Sequence, residues 1–201
     1  MTNEIPFEQM SENDLEQYFV ERNIKGVHKY FKIQFDAIEL CFRNKFINPV
    51  LILIYSTIDT FSYLDRINDE EKVVDRFARW VDTFLLPNSD LKCSALELYA
   101  ARCGMVHSST AESDLSKKGK VRQIFYGPED KLWEVMKKQK KENEYCTVRI
   151  PLLVISLIKA YENYFKYLHT NTHKFQLVIK RVDKLMAEDN KDETDFISKH
   201  L

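Results

Sequence analysis

Arg102 and His107 are the two residues of this 201-residue chain whose types and spacing most directly favour chemistry. They lie five positions apart in the stretch YAARCGMVHSST, residues 99–110. Histidine exchanges protons near neutral pH, and arginine carries a planar, permanent positive charge that can stabilise a developing anion. The pair therefore predicts proton transfer beside a fixed cation, although an R-x4-H spacing alone also occurs by chance.

The helix that must carry this pair is predicted over residues 91–106. Arg102 lies on an apolar stripe of that helix, where a charge is costly unless it is paired. Its neighbours on the stripe are Leu91, Ala95, Leu98 and Met105. We therefore expect the guanidinium to bind a buried acid such as Asp59, or to face a cleft or a subunit interface.

His107 is about 140° round a regular helix from Arg102. Gly104 and the Ser-Ser-Thr at 108–110 are expected to end the helix there and turn the imidazole toward Arg102. A purely structural interpretation also stays open, in which Arg102 pairs with an acid and His107 caps the helix.

The composition favours long helices with short connections, because the chain has only four Gly and five Pro. A hydrophobic content of 44% supports a packed core. We expect an all-α, or mainly α, helical bundle with a short β-hairpin appendage. The predicted helices span 14–46, 50–67, 70–86, 91–106, 129–143, 151–169 and 173–188, and the predicted strands span 121–126 and 145–150. Residues 14–188 are expected to form one domain, between an acidic leader at 1–13 and an acidic tail at 189–201.

The motif and its surroundings resemble a known family. The matching residues are ALELYAARCGMVHSST (95–110), SDLSKKGKVRQIFYG (113–127) and, on the earlier apolar helix, Ser56, Asp59, Ser62 and Tyr63. Together they resemble the HEPN superfamily and, within it, a plasmid-associated HEPN-like family. The resemblance implies a helical bundle that dimerises so that two R-x4–6-H motifs meet. It also implies a metal-independent endoribonuclease of a toxin or antiviral defence system, with Arg102 and His107 as catalytic residues.

Such an enzyme cleaves RNA by attack of the ribose 2′-hydroxyl on the adjacent phosphorus, which leaves a 2′,3′-cyclic phosphate. His107 would transfer protons and Arg102 would stabilise the phosphorane. Asp59 is expected to support Arg102. Ser108 and Thr110 could donate hydrogen bonds to the phosphate or satisfy the end of the helix.

The sequence departs from the family patterns at two positions. Cys103 stands where active nucleases often have Asn, Asp or His, which favours the alternative of a non-catalytic nucleotide-binding, RNA-binding or regulatory module. Ser109 stands where members paired with a nucleotidyltransferase antitoxin carry Tyr, which argues against regulation by nucleotide transfer to that position.

Positive charge is concentrated directly after the motif. Residues 117–141 hold nine Lys and Arg against three acids, whereas residues 1–16 hold five acids and no base. The first basic residues are expected to bind RNA phosphates without reading sequence. They are Lys117, Lys118, Lys120 and Arg122. The later run KKQKKENE is more simply a solvated helix face, and Tyr126 either stacks an unpaired base or packs in the core.

The expected partners are a second copy of the chain, single-stranded RNA and an antitoxin protein. We expect no cofactor and no metal, because His169 and His173 form an H-x3-H pair without an acidic partner and are predicted in a surface turn. The N-terminal sequence lacks the basic and apolar regions of a signal peptide, and the longest apolar run, 50–55, is too short for a bilayer. We therefore expect a cytoplasmic protein that does not enter a membrane.

Overall fold

A computed structural model describes residues 12–108, 110, 112–127, 134, 135, 138, 141, 143–182 and 184, with side chains described at these positions except 12–26, 88, 107 and 108. This part of the chain is mostly helical, which confirms the expected mainly α fold. The predicted acidic leader and tail lie almost wholly outside the described residues.

Helix α1 (Glu12–Arg43) and helix α2 (Ile47–Leu64) form an antiparallel pair. The turn between them uses Lys45 in the left-handed region at φ 61°, and Pro49 lies in the first turn of α2, where its missing N–H costs nothing. Because α2 is apolar on most sides, it lies at the centre of the bundle and contacts three further helices. Among the described helices, α2 alone has the length and composition to cross a membrane, and half of it is buried in the bundle, as in a core helix.

Helix α3 (Val73–Trp80) continues as a π-helical turn (Val81–Leu85) and a 3-10 turn (Leu86–Asn88) that ends around Pro87. Helix α4 spans Ala95–Ser108, and the short helix α5 spans Asp114–Lys117. Ser94 and Glu97 begin α4 with a reciprocal capping box, in which each side chain accepts the other's backbone N–H. The predicted start near residue 91 was therefore early by one turn.

Strands β1 (Gln123–Tyr126) and β2 (Tyr145–Val148) pair in parallel, with Gln123 opposite Tyr145 and Tyr126 opposite Val148. The expected β-hairpin is therefore wrong. A hairpin needs antiparallel strands and a tight turn, whereas 18 residues separate these strands, enough for the crossover that parallel pairing requires.

Helix α6 (Ile150–Thr170) and helix α7 (172–182) complete the described bundle. Aromatic rings join the layers: Phe31 of α1 stacks on Phe61 of α2 at 4.1 Å between centroids, and Phe61 stacks on Trp80 of α3 at 5.1 Å. Because α6 ends at Thr170, His169 and His173 lie on separate helices.

Cations of α7 hold the carboxyl end of α2, whose last carbonyls have no partner within the helix. Lys174 Nζ donates to the Asp65 carbonyl at 2.5 Å, and Arg181 Nη1 donates to the Leu64 carbonyl at 2.6 Å. These bonds fasten the end of the described chain to its central helix, and so keep α2 fixed as the platform for Asp59.

Candidate functional site

An ion pair between Arg102 of α4 and Asp59 of α2 is the centre of the candidate site. Arg102 Nε donates to Asp59 Oδ2 at 2.5 Å, and Nη2 donates to the same oxygen. The two side chains are only 16% and 17% exposed. The structure therefore brings the guanidinium and the acid together inside one chain, on adjoining faces of two core helices.

Two opposing effects act on the charge of Arg102. Burial alone would lower the pKa of the guanidinium, but the neighbouring Asp59 carboxylate raises it above its ordinary value. The side chain is thus a permanent cation in a partly desolvated site. Within the described part of the chain, Asp59 Oδ1 is buried without a hydrogen-bond partner, so this carboxylate depends on Arg102 for its stabilisation.

The apolar stripe beside Arg102 is covered by the chain itself. Ala95, Leu98 and Met105 are each at most 3% exposed in the core of the protomer. The expectation that this stripe borders a subunit interface is therefore not needed to explain the arginine, because Asp59 compensates the charge.

His107 and Ser108 lie in the last turn of α4, and their side chains are outside the described residues. The helix does not end before His107, so the expected helix break at Gly104 is wrong. Regular helix geometry leaves positions 102 and 107 about 140° and roughly 9 Å apart, measured between Cα atoms. The two positions therefore belong to different sides of α4.

Gly104 has another role, which is to let the chain that follows α4 fold back onto the helix. Thr110 N–H donates to the Gly104 carbonyl at 3.2 Å. A Cβ at position 104 would come within 2.5 Å of the Thr110 carbonyl oxygen and 2.7 Å of that of Glu112. The Thr110 hydroxyl donates to the Glu112 carbonyl at 3.1 Å, so Thr110 stabilises the returning segment.

The three predicted RNA-binding lysines lie on α5 and in the turn after it. Lys117 is 57% exposed and forms an ion pair with Glu112 at 3.4 Å, and Lys118 and Lys120 are exposed. Gly119 makes the turn at φ 64°, with its N–H bonded to the Ser116 carbonyl. These ammonium groups extend from one short segment into solvent, where they can reach an anionic ligand.

Arg122 was expected to bind RNA but is held within the protein. Its Nε donates to Glu97 Oε1 at 2.7 Å, and its Nη2 donates to the Lys92 carbonyl at 3.2 Å. Burial would raise the pKa of Glu97, but the Arg122 hydrogen bond and charge, with the Ser94 N–H, hold it below its ordinary value. This bond ties the start of β1 to the cap of α4 and gives Arg122 a structural role that its place in the basic cluster did not predict.

Tyr126 is half-buried and packs against the core. Its hydroxyl hydrogen-bonds the Tyr55 hydroxyl, and burial raises the pKa of both phenols. The ring takes part in the contact between β1 and α2, which favours core packing over stacking on an RNA base.

A cavity of about 610 Å³ opens beside the ion pair, between α3, α4 and the segment that returns over Gly104. Cys103 is in its wall, and the Cys103 sulfur lies 4.0 Å from Arg102 Nη1. Tyr99, one turn earlier, also lines it. Burial and contact with the Cys103 thiol raise the pKa of the Tyr99 hydroxyl, so this phenol is a neutral donor at pH 7.

The structure thus adds three residues that the sequence predictions did not include. Tyr99 and Glu112 line the cavity together with the predicted Thr110 and Lys117, and Glu97 binds Arg122. Only Glu97 had a recognisable signal, the S-x-x-E pattern that begins at Ser94.

The described residues contain no group of three or more His, Cys, Asp or Glu side chains placed to hold a metal ion. A buried guanidinium, three exposed ammonium groups and a cavity lie around the end of α4. No protein family, no curated protein and no solved structure matches this chain.

Proposed function

We propose that this chain is a metal-independent RNA endonuclease that works as a homodimer. The observation that carries the proposal is the Arg102–Asp59 pair: a cation fixed in orientation by a buried carboxylate, on the helix that also carries His107. The resemblance of residues 95–110 to the HEPN motif supports the same function.

Arg102 would stabilise the negative charge that grows on the nonbridging phosphate oxygens. Because Asp59 holds its Nε edge, little side-chain entropy remains to be lost when a phosphate binds. The exposed lysines at 117, 118 and 120 would hold flanking phosphates by charge alone, without reading the base sequence.

His107 would carry out proton transfer in the same step. The ribose 2′-hydroxyl loses its proton to a base and attacks phosphorus, and the bond from phosphorus to the 5′-oxygen breaks. That oxygen takes a proton from an acid, which leaves a 2′,3′-cyclic phosphate and a 5′-hydroxyl. Imidazole suits either proton transfer near neutral pH.

A dimer accounts for the separation of the two positions on α4. Within one protomer, the helix directs positions 102 and 107 to different sides. A two-fold contact around this end of α4 would let Arg102 of one protomer and His107 of the other face one phosphate. Val106 is 37% exposed there and offers an apolar contact. Light scattering at micromolar concentration tests this: a dimer is expected, and a strict monomer contradicts the shared site.

The enzymatic test uses mixed-sequence single-stranded RNA in excess EDTA. Wild type should cleave it, and Arg102→Ala and His107→Ala should each lose roughly 10²-fold or more of the rate. Arg43→Ala and His173→Ala remove an exposed arginine and an exposed histidine elsewhere and should cleave like wild type. Intact RNA with pure wild type, or equal cleavage by all four variants, refutes the proposal.

A non-catalytic binding or regulatory module is the second candidate. The specific observation in its favour is that Asp59 engages two donor groups of Arg102, beside Cys103 rather than a polar residue. In that case Arg102→Ala lowers the melting temperature, and wild type binds RNA in EDTA without cleaving it.

A further inference from the structure

The 610 Å³ cavity beside Arg102 has the size of a small-molecule site, since such pockets measure roughly 300–1,000 Å³. The carbonyls of Thr110 and Glu112 lie close to Gly104, so backbone packing fixes this wall of the cavity. Cys103 lines the cavity, and its sulfur lies 4.0 Å from Arg102 Nη1. A ligand that fills the cavity would lie directly beside the proposed phosphate site.

Apolar side chains and a few polar groups line this cavity. Leu96, Val74 and Leu115 supply aliphatic walls, and Tyr99 adds an aromatic ring. Glu112 and Asp114 line the cavity with carboxylates, which accept hydrogen bonds only. The Glu112 carboxylate is 52% exposed and pairs at 3.4 Å with Lys117, a cation that also lines the cavity. This combination fits a planar, nitrogen-rich ring that carries donors on one edge and is linked to a phosphate.

We propose that the cavity binds an unpaired guanine base of the RNA, adjacent to the phosphate that Arg102 contacts. The inference rests on the proposed function and adds a base preference to it. Single-stranded RNA is commonly recognised through bases that are unstacked and inserted between apolar and aromatic side chains.

Guanine is favoured by the chemistry of its Watson–Crick edge. The N1–H and the N2 amino group are adjacent donors, so one carboxylate can accept both. Adenine and cytosine present an amino group next to a ring acceptor, which would face the carboxylate unfavourably, and uracil presents a single N–H between two acceptors. A carboxylate such as that of Glu112 therefore selects guanine, while Lys117 can contact the adjacent phosphate.

Calorimetric titration of the full chain with the four nucleoside 5′-monophosphates, in EDTA, tests this site. GMP should bind roughly tenfold to a hundredfold more tightly than UMP, AMP or CMP. Leu96→Trp fills the cavity from a half-exposed position, and Glu112→Gln removes one acceptor while keeping the shape. Each should weaken GMP binding tenfold or more. Leu40→Trp and Glu70→Gln make the same changes at exposed positions elsewhere and should bind like wild type.

Equal binding of GMP and UMP, or unchanged GMP affinity in both cavity variants, overturns the inference. Circular dichroism melts check that Leu96→Trp folds, and if it does not, the conservative Glu112→Gln decides. GMP selectivity in a protein that cleaves no RNA would refute the nuclease proposal alone. Cleavage without any preference for guanine, and without GMP selectivity, would refute the base pocket alone.

Discussion

Replacing Arg102 by alanine leaves the Asp59 carboxylate without a counter-ion in a site where only 17% of its side chain is exposed. The loss is large because the two bonds from Arg102 to Asp59 both end on Oδ2, and no described residue bonds Oδ1. Breaking a buried ion pair costs about 3–5 kcal/mol, and the residual exposure places this pair near the lower end, at about 3 kcal/mol. For a chain of this length, that corresponds to a melting temperature lower by roughly 6–12 °C.

The double variant separates this electrostatic effect from a loss of packing. With Asp59→Ala and Arg102→Ala combined, no charge is left unpaired, so the variant should be more stable than the sum of the single losses predicts, by about 2–3 kcal/mol. Thermal and urea unfolding, followed by circular dichroism, measure all four proteins. The pair Lys32 and Asp36, which are 71% and 58% exposed, is the control, and its coupling should stay below about 1 kcal/mol.

Strict additivity of the two losses in free energy of unfolding would refute this reasoning. So would an Arg102→Ala melting temperature within 2 °C of wild type, because a loss of 1 kcal/mol lowers the melting temperature by roughly 2–4 °C. RNA cleavage adds an independent readout. The double variant should recover stability but no nuclease activity, because the proposed phosphate-binding cation is still absent.

Three further predictions concern the surroundings of the pair. Gly104→Ala should destabilise the protein by about 1–3 kcal/mol in urea unfolding, because the new Cβ meets two backbone carbonyls; a stabilised variant would contradict the close approach. Because the pKa of Glu97 is lowered in the folded protein, its contribution to stability is present above its unfolded-state pKa and is lost as pH falls through its folded-state pKa. Arg122→Ala should flatten this acid dependence of the urea midpoint. A pH profile unchanged from wild type would contradict the role of the Arg122–Glu97 bond. The three exposed lysines are Lys117, Lys118 and Lys120, and their joint replacement by alanine should weaken RNA binding about equally for all sequences. In filter binding, the slope of log affinity against log salt should fall by roughly two to three, whereas Arg122→Ala should leave it unchanged. Equal slopes in wild type and the lysine variant would contradict the phosphate contacts.

Local sequence patterns predicted the long described helices well, because helix periodicity and scarce Gly and Pro act over short distances. The predicted helix 129–143 lies mostly outside the described residues, and the short helix α5 was not predicted. The paired strands were also recognisable as strands. Their parallel direction was not, since it depends on the connection that leads from β1 to β2. The start of α4 was predicted one turn early, because the S-x-x-E pattern at Ser94 and Glu97, which begins the helix, was not used.

The ion pair at the centre of the candidate site was predictable, because a charge on an apolar helix face needs compensation. An arginine on an apolar stripe requires an acid, and Asp59 was the acid expected from the neighbouring apolar helix. Arg122 looked like part of a basic cluster, because its partner Glu97 lies 25 positions away in sequence and the bond exists only through the fold. The cavity is also a product of tertiary structure, formed where the chain returns over Gly104.

Mixing the two inactive variants tests the central claim most directly. Arg102→Ala and His107→Ala are combined in equal amounts, allowed to exchange subunits, and assayed on single-stranded RNA in EDTA. If each site uses Arg102 of one protomer and His107 of the other, half of the dimers are mixed and each regains one intact site, so activity should return to roughly one quarter of wild type. Activity that stays as low as that of either variant alone, in a preparation shown to exchange subunits, would contradict the shared catalytic site.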